Sequence, residues 1–304
     1  MTTANIVSLL RCLFNKVLWA AFAFTYPLVS QVQAQTVPDP AMVARTVATL
    51  EKTLDARVGV YLFDSGTGWQ WGHRETERFL MASTFKPLLC GAILAQADAG
   101  ALSLEDRIDV RKQDMVPYAP VTETHVGHSM SIHDLCFATL DLSDNTAANL
   151  LTNRLGGPQN VTAFLQAIGD DVTRLDRLEP DVNTFVPNDP RDTTSPIAMT
   201  RSWATLLLGD ALQPKSAMQL AAWLSHGGVT GQFIRAHAPQ GWQVLDKSGG
   251  GRHHTRNLMA MVTPPGEPPV LVAIFVSDTP ADWDTRNAAV STLGAAVIEI
   301  LLAR

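Results

Sequence analysis

A mixed α/β (α+β) fold is predicted, with one antiparallel sheet built from both ends of the chain and an all-helical lobe inserted between them. Three observations predict it. A helical period and then a hairpin open the chain, helical periods fill its middle, and strand-like runs with a last helix close it. Apolar faces of such elements must bury against one another, and strands from two termini do so most simply as one sheet flanked by helices.

Asp39-Pro40 supplies an N-cap and a first helical residue. Met42, Val43, Val47, Leu50 and Leu54 then fall on one face. Val58 to Phe63 is β-like, the turn residues 64–68 follow, and Trp69-Gln-Trp71 returns as the second arm of a hairpin. A helix is expected from Thr84 to Ala99, stopped by Gly100. Ser131-Ile-His-Asp134 resembles a capping box for a helix that carries Cys136. Helical patterns fit Asp144 to Arg154, Pro158 to Ile168, Pro196 to Leu208 and Pro214 to Ser225. Between Arg174 and Asp192 the pattern breaks into a long loop with three prolines and two asparagines, and long ordered loops tend to be functional. Strands are expected at Gln243 to Lys247, Asn257 to Val262 and Val270 to Val276, then a helix from Thr285 to Leu302. The implied division is one domain over 35–304, with an α/β lobe near 39–74 and 235–304 and a helical lobe near 82–225.

Hydrophobic residues make up 46% and charged ones 17%, which excludes a disordered chain. The net charge of -6, with no basic run, argues against nucleic acid and anionic membrane surfaces as partners. Residues 1–34 read as a secretory signal: Arg11 and Lys16, the apolar run Val17 to Phe24, and Val32-Gln33-Ala34 as a cleavage site. That run is short for a membrane span and is interrupted by Thr25 and Pro27, so no stable anchor is expected. Of the three cysteines, Cys12 would be lost with the signal. Cys90 and Cys136 remain, either as a disulfide suited to an exported protein or as two buried thiols.

Ser83-Thr84-Phe85-Lys86 places a hydroxyl and an amine three residues apart at the start of a helix, where both share a face. A neutral Lys86 amine there can activate Ser83 as a nucleophile. The helix N-terminus offers free N–H groups for an oxyanion. Ser143-Asp144-Asn145 follows, then Arg177-Leu-Glu179-Pro-Asp-Val-Asn183, then Lys247-Ser248-Gly249. Each of the patterns Ser-x-x-Lys, Ser-x-Asn and Lys-Ser/Thr-Gly occurs once in the chain.

In this order the motifs resemble those of the class A serine β-lactamases. The resemblance runs from about Asp39 to the C-terminus. It implies Ser83 as the nucleophile, with Lys86 as its base or electrostatic partner. Ser143 would deliver a proton to the departing ring nitrogen, although from the residues alone it reads equally as a helix N-cap. Glu179 would activate the hydrolytic water, with Asn183 fixing it. Arg177 and Asp192 would close the loop as an ion pair, and the Glu179-Pro180 bond would be cis. Asn145 would meet the substrate's side-chain amide. Lys247, Ser248 and Arg256 would bind its carboxylate, and Gly249 would let it approach the strand. Ser83 and Gly250 N–H groups would form the oxyanion hole, and Tyr118 an aromatic wall. Some members of the family carry a cystine at the positions of Cys90 and Cys136.

Penicillins and early cephalosporins are the implied substrates, with no cofactor, a monomeric state and a periplasmic or secreted location. Carbapenems are expected to be poor substrates, because the positions that carry a second cystine in class A carbapenemases are Ala82 and Gly251 here. His125, His128, His133, His253 and His254 lack metal-site spacing, so no metal is expected. Arg252 has no counterpart in the motif set and would at most meet bulky cephalosporin side chains at the rim. Two rival readings remain from the sequence. A D-alanyl-D-alanine peptidase shares the Ser-Lys chemistry but would lack Glu179 in its loop. A β-lactam sensor domain would acylate once and would need a membrane link.

Overall fold

Strands buried along nearly their whole length must be covered on both faces, and three of the strands here are of that kind. The computed structural model describes residues 38–251 and 254–303; the expected signal at 1–34, Arg252 and His253 lie outside them. In chain order the elements are α1 (Ala41–Leu54), β1 (Arg57–Asp64), β2 (Gln70–His73), β3 (Phe79–Leu80), α2 (Lys86–Asp98), β4 (Arg107–Asp109) and β5 (Ser129–Ser131). There follow α3 (Ile132–Asp141), α4 (Asn145–Arg154), α5 (Pro158–Ala167), β6 (Thr193–Thr194), α6 (Pro196–Leu207), α7 (Pro214–Leu224) and α8 (Ile234–His237). The chain closes with β7 (Gln243–Gly250), β8 (His254–Thr263), β9 (Val270–Thr279) and α9 (Trp283–Leu302).

The main sheet has the order β2-β1-β9-β8-β7 and is antiparallel throughout. Both termini therefore contribute, and β1 sits beside β9 with Val60 opposite Ile274. Side chains alternate between the two faces, as a strand's period of two requires. Val58, Val60, Leu62, Leu258, Ala260, Val272 and Ile274 point to a core shared with α1 and α9. Tyr61, Met259, Met261, Leu271, Ala273 and Phe275 point to a second core shared with the inserted helices. Fully burying one such side chain contributes about 1.5–3 kcal/mol. α9 is long and apolar enough to cross a membrane, and 61% of its apolar window is buried in the fold. Gly59 is needed in β1, because a Cβ there would sit 2.5 Å from the Phe79 ring.

The helical periods fall as expected, with two refinements. The inserted segment also carries two short strand pairs, β3 with β6 and β4 with β5, too brief to leave a periodic trace in the sequence. The helix expected from Thr84 begins at Lys86, preceded by a 3₁₀ turn at Ala82–Phe85.

Candidate active site

Ser83 lies in that 3₁₀ turn, where side chains three residues apart are eclipsed, so it stands in line with Lys86. The amide of Lys86 donates to the carbonyl of Ser83. Ala82, just before Ser83, is fully buried with φ 46°, a left-handed conformation costly for a residue with a Cβ. The end of β7 packs tightly on this turn. A Cβ on Gly249 would lie 2.7 Å from the Met81 carbonyl and 3.0 Å from the Ser83 nitrogen, so only glycine fits. Ser83, Ser248, Gly249, Gly250, Arg256 and Tyr118 line one cleft of about 310 Å³, to which Ser143, Asn145 and Asn183 also contribute.

Lys86 is fully buried. Its Nζ donates to the Ser143 carbonyl at 2.7 Å, to Ser143 Oγ at 3.2 Å and to Asn145 Oδ1 at 2.7 Å. It also lies 3.3 Å from Glu179 Oε1. Burial pushes its ammonium below the ordinary lysine range, while the Glu179 charge opposes that shift. Lys247, also fully buried, donates to Ser143 Oγ at 3.0 Å and to the Ser248 carbonyl at 2.8 Å. Burial, then the charges of Lys86 and Arg256, drive the Lys247 ammonium well down. Ser143 Oγ is thus held between two nitrogens, a bridge suited to moving a proton.

The N-cap alternative for Ser143 is settled by its neighbour. Asp144 is the cap of α4 and accepts from the Ala147 amide at 2.8 Å, while Ser143 has φ 61° and keeps its hydroxyl for the cleft. Asp144 also accepts from the amides of Val121 and Thr122 at 3.0 and 2.8 Å, which fixes the segment beside Tyr118. Asn145 donates its amide to the Tyr118 carbonyl and its side-chain nitrogen to the Pro117 carbonyl. Tyr118 itself, at φ 65°, projects at the rim with 58% of its surface exposed.

The loop 174–192 brings Glu179 behind the cleft, against the buried Lys86. Its Oε2 accepts from Asn183 Nδ2, and the Glu179-Pro180 bond is cis. Glu179 Oε1 is close to Lys86 but not aligned for a hydrogen bond, and Asn183 Oδ1 likewise has no protein donor among the described residues. Two buried acceptors are thereby left without a hydrogen-bond donor, one of them beside the amine. Arg177 Nε pairs with Asp192 Oδ2, and Asp192 Oδ1 also accepts from the amides of Asp176 and Arg177 at 2.7 and 3.0 Å. The Asp192 carbonyl accepts from the Met81 amide at 2.9 Å, which ties the loop to the turn of Ser83.

Arg256 is 5% exposed and has no carboxylate in contact among the described residues. Its guanidinium donates to Asn287 Oδ1 at 2.7 Å and to the Gly249 carbonyl at 3.0 Å. Burial, together with the nearby charge of Arg286, brings it down to about 10. A buried cation in a cleft wall, partnered by neutral groups, is suited to an anionic ligand.

Two residues of this machinery escaped the sequence reading. Asn149 on α4 clamps the backbone of Glu179, accepting from its amide at 2.8 Å and donating to its carbonyl at 2.9 Å. Asn287 orients Arg256. Asn149 stands one helical turn beyond Asn145, and that spacing was the available signal.

The cystine implied for Cys90 and Cys136 is not formed here. Both are buried free thiols, 3.1 Å apart. Cys90 Sγ donates to the Cys136 carbonyl, and burial beside Cys90 pushes the Cys136 thiol well up. Among the described residues no three His, Cys, Asp or Glu side chains converge as a metal would need. A larger cavity of about 560 Å³ lies behind residues 184–191 and does not include Ser83.

Residues 42–301 match the beta-lactamase enzyme family. A β-lactamase of Rhodobacter capsulatus is 54% identical over 258 residues, 85% of this chain and 88% of that protein. A reconstructed ancestral class A β-lactamase of Gram-negative bacteria is 48% identical, with TM-score 0.82 over 84% of this chain and 99% of that one. The chain belongs to the class A β-lactamases. A β-lactamase structure from Xanthomonas campestris pv. campestris is also similar, at 44% identity and TM-score 0.84, covering 88% of this chain and all of that one. In this class A β-lactamase the residues that the motifs singled out therefore lie in one cleft or directly behind it, at the junction of the sheet edge and the helical insertion.

Proposed function

We propose that this class A β-lactamase opens the lactam amide of penicillins and early cephalosporins through an acyl-enzyme on Ser83. One observation carries the reading: a fully buried Lys86 amine touches Ser143 Oγ on one side and stands 3.3 Å from the Glu179 carboxylate on the other. Ser83 Oγ attacks the lactam carbonyl, and its proton passes into the Lys86–Glu179 pair. The carbonyl oxygen gains charge against the amides of Ser83 and Gly250. The C–N bond then breaks, and Ser143 hands a proton to the leaving nitrogen. In the second half, Glu179 removes a proton from a water held with Asn183, the resulting hydroxide attacks the ester, and Ser83 recovers its proton. Arg256, Ser248 and Lys247 receive the substrate carboxylate, Asn145 its side-chain amide, and Tyr118 walls the acyl group. Arg177 and Asp192 keep the loop closed.

The same reading makes the protein exported, with 1–34 removed, and a cofactor-free monomer that confers resistance on its host. In that oxidising compartment Cys90 and Cys136 lose two electrons and two protons to the export pathway's disulfide catalyst and form a cystine. Carbapenems are turned over poorly. Purified mature protein mixed with a chromogenic cephalosporin tests the mechanism. Many turnovers per enzyme are expected, with a transient adduct on Ser83. A single stoichiometric burst would instead make it a sensor or a penicillin-binding peptidase.

A further inference from the structure

Trp283 is a large aromatic side chain in the cleft that none of the motifs includes. It is the first residue of α9, which is fixed by Asp282 accepting from the Thr285 amide at 2.8 Å. It lines the same cleft as Ser83, Ser248, Gly250 and Arg256. The residue is 43% exposed, although the Arg256 and Arg286 side chains against it are buried. The Arg256 guanidinium lies 4.5 Å from the ring centre and that of Arg286 5.6 Å. A Cβ on Gly250 would come within 2.9 Å of the indole, so the ring also rests against the end of β7. The inner side of the indole is thus covered by cations and strand backbone, and what stays exposed borders the cleft and the rim.

Resting on the proposed binding of the substrate carboxylate by Arg256 and Ser248, this position has a chemical meaning. In a cephalosporin, the ring carbon adjacent to the one bearing the carboxylate carries the variable substituent. In a penicillin, the adjacent carbon carries only two methyl groups. A carboxylate seated on Arg256 brings that substituent to the ring that stacks on Arg256. A flat aromatic substituent can stack on the part of the indole left exposed, where a methyl group makes a much smaller contact.

We infer that Trp283 is a specificity-determining residue, an aromatic platform that favours cephalosporins carrying a flat heteroaryl group beside the carboxylate carbon. The test is steady-state kinetics of the wild type, Trp283→Ala and Trp283→Phe on two cephalosporins with a common acyl side chain. One bears a heteroaryl-thiomethyl group and the other a methyl group. In Trp283→Ala the ratio of kcat/KM for the heteroaryl substrate to that for the methyl substrate should fall about 3- to 10-fold, through KM, the size of one aromatic contact. Trp283→Phe should restore the ratio to within about twofold of wild type. Equal losses on the heteroaryl and methyl substrates would mean that Trp283 only supports Arg256, and would overturn the inference. A wild type that turns over neither substrate would instead remove the proposed function itself, a separate outcome.

Discussion

The two faces of the central sheet use the same strands for opposite ends. On the face covered by α1 and α9 the core is aliphatic, from Val43 and Val58 through Val272 and Leu293. The face toward the inserted helices is apolar along most of its length, but at the β7 edge the interior changes character. Lys86 and Lys247 share Ser143 Oγ, Glu179 stands 3.3 Å from Lys86, and Arg256 donates to the Gly249 carbonyl, all four at 5% exposure or less. The first region does what folding requires, since burying aliphatic surface is favourable wherever it occurs. The second does what folding resists, since each buried charge costs several kcal/mol unless its partners compensate. The lesson is a division of labour within one sheet: α9 and its strands hold rigid a polar pocket that could not hold itself together.

That contrast can be broken from either side. The largest effect is expected in the polar region. Glu179→Ala should leave acylation of Ser83 in place and slow deacylation by about 10²- to 10⁴-fold, the usual worth of a positioned general base. Mass spectrometry after mixing with benzylpenicillin should show a lasting adduct on Ser83; turnover at the wild-type rate would contradict the role. The next effect belongs to the aliphatic face. Leu293→Ala should cost about 2–5 kcal/mol in chemical denaturation while kcat/KM of the folded enzyme stays within twofold. A large kinetic change there would mean that the two regions are less separate than their chemistry implies.

A smaller effect is expected where α2 and α3 meet beneath the site. Oxidation of Cys90 and Cys136 in exported protein should add about 2–4 kcal/mol over the reduced form. Thiol labelling of denatured, unreduced protein checks it, and two labelled cysteines would count against the bond. Last, Arg256→Ser should raise the KM for penicillins and lower kcat/KM about ten- to hundredfold, the cost of one charge-assisted contact. It should also weaken inactivation by clavulanate. Unaltered penicillin kinetics would put the substrate carboxylate elsewhere in the cleft.

Much of this architecture was legible in the sequence because it is periodic or punctuated. The unbroken apolar run of β9 and the proline-led starts of α5, α6 and α7 are local signals, and local signals survive in one dimension. The four motif segments were legible for a different reason, as a joint pattern. Asn149 and Asn287 were not, because each acts only on a residue distant in sequence, Asn149 through two hydrogen bonds 30 positions away and Asn287 through one 31 positions away. Nor was the capping of α4: Ser143 and Asp144 are both good caps, and only the fold shows that Asp144 takes the amide while Ser143 turns to φ 61°. The left-handed backbone at Ala82 and Tyr118 was likewise invisible, since neither residue type advertises it.

The hydrogen bond from the Met81 amide to the Asp192 carbonyl has a consequence for how such an enzyme diversifies. The residue that latches the loop also steadies the strand leading to Ser83. A lineage that widened its diet by loosening the Arg177–Asp192 latch would unsettle its own chemistry at the same stroke. Breadth gained by that route carries a built-in penalty in speed, and changes at the open rim, away from the latch, do not.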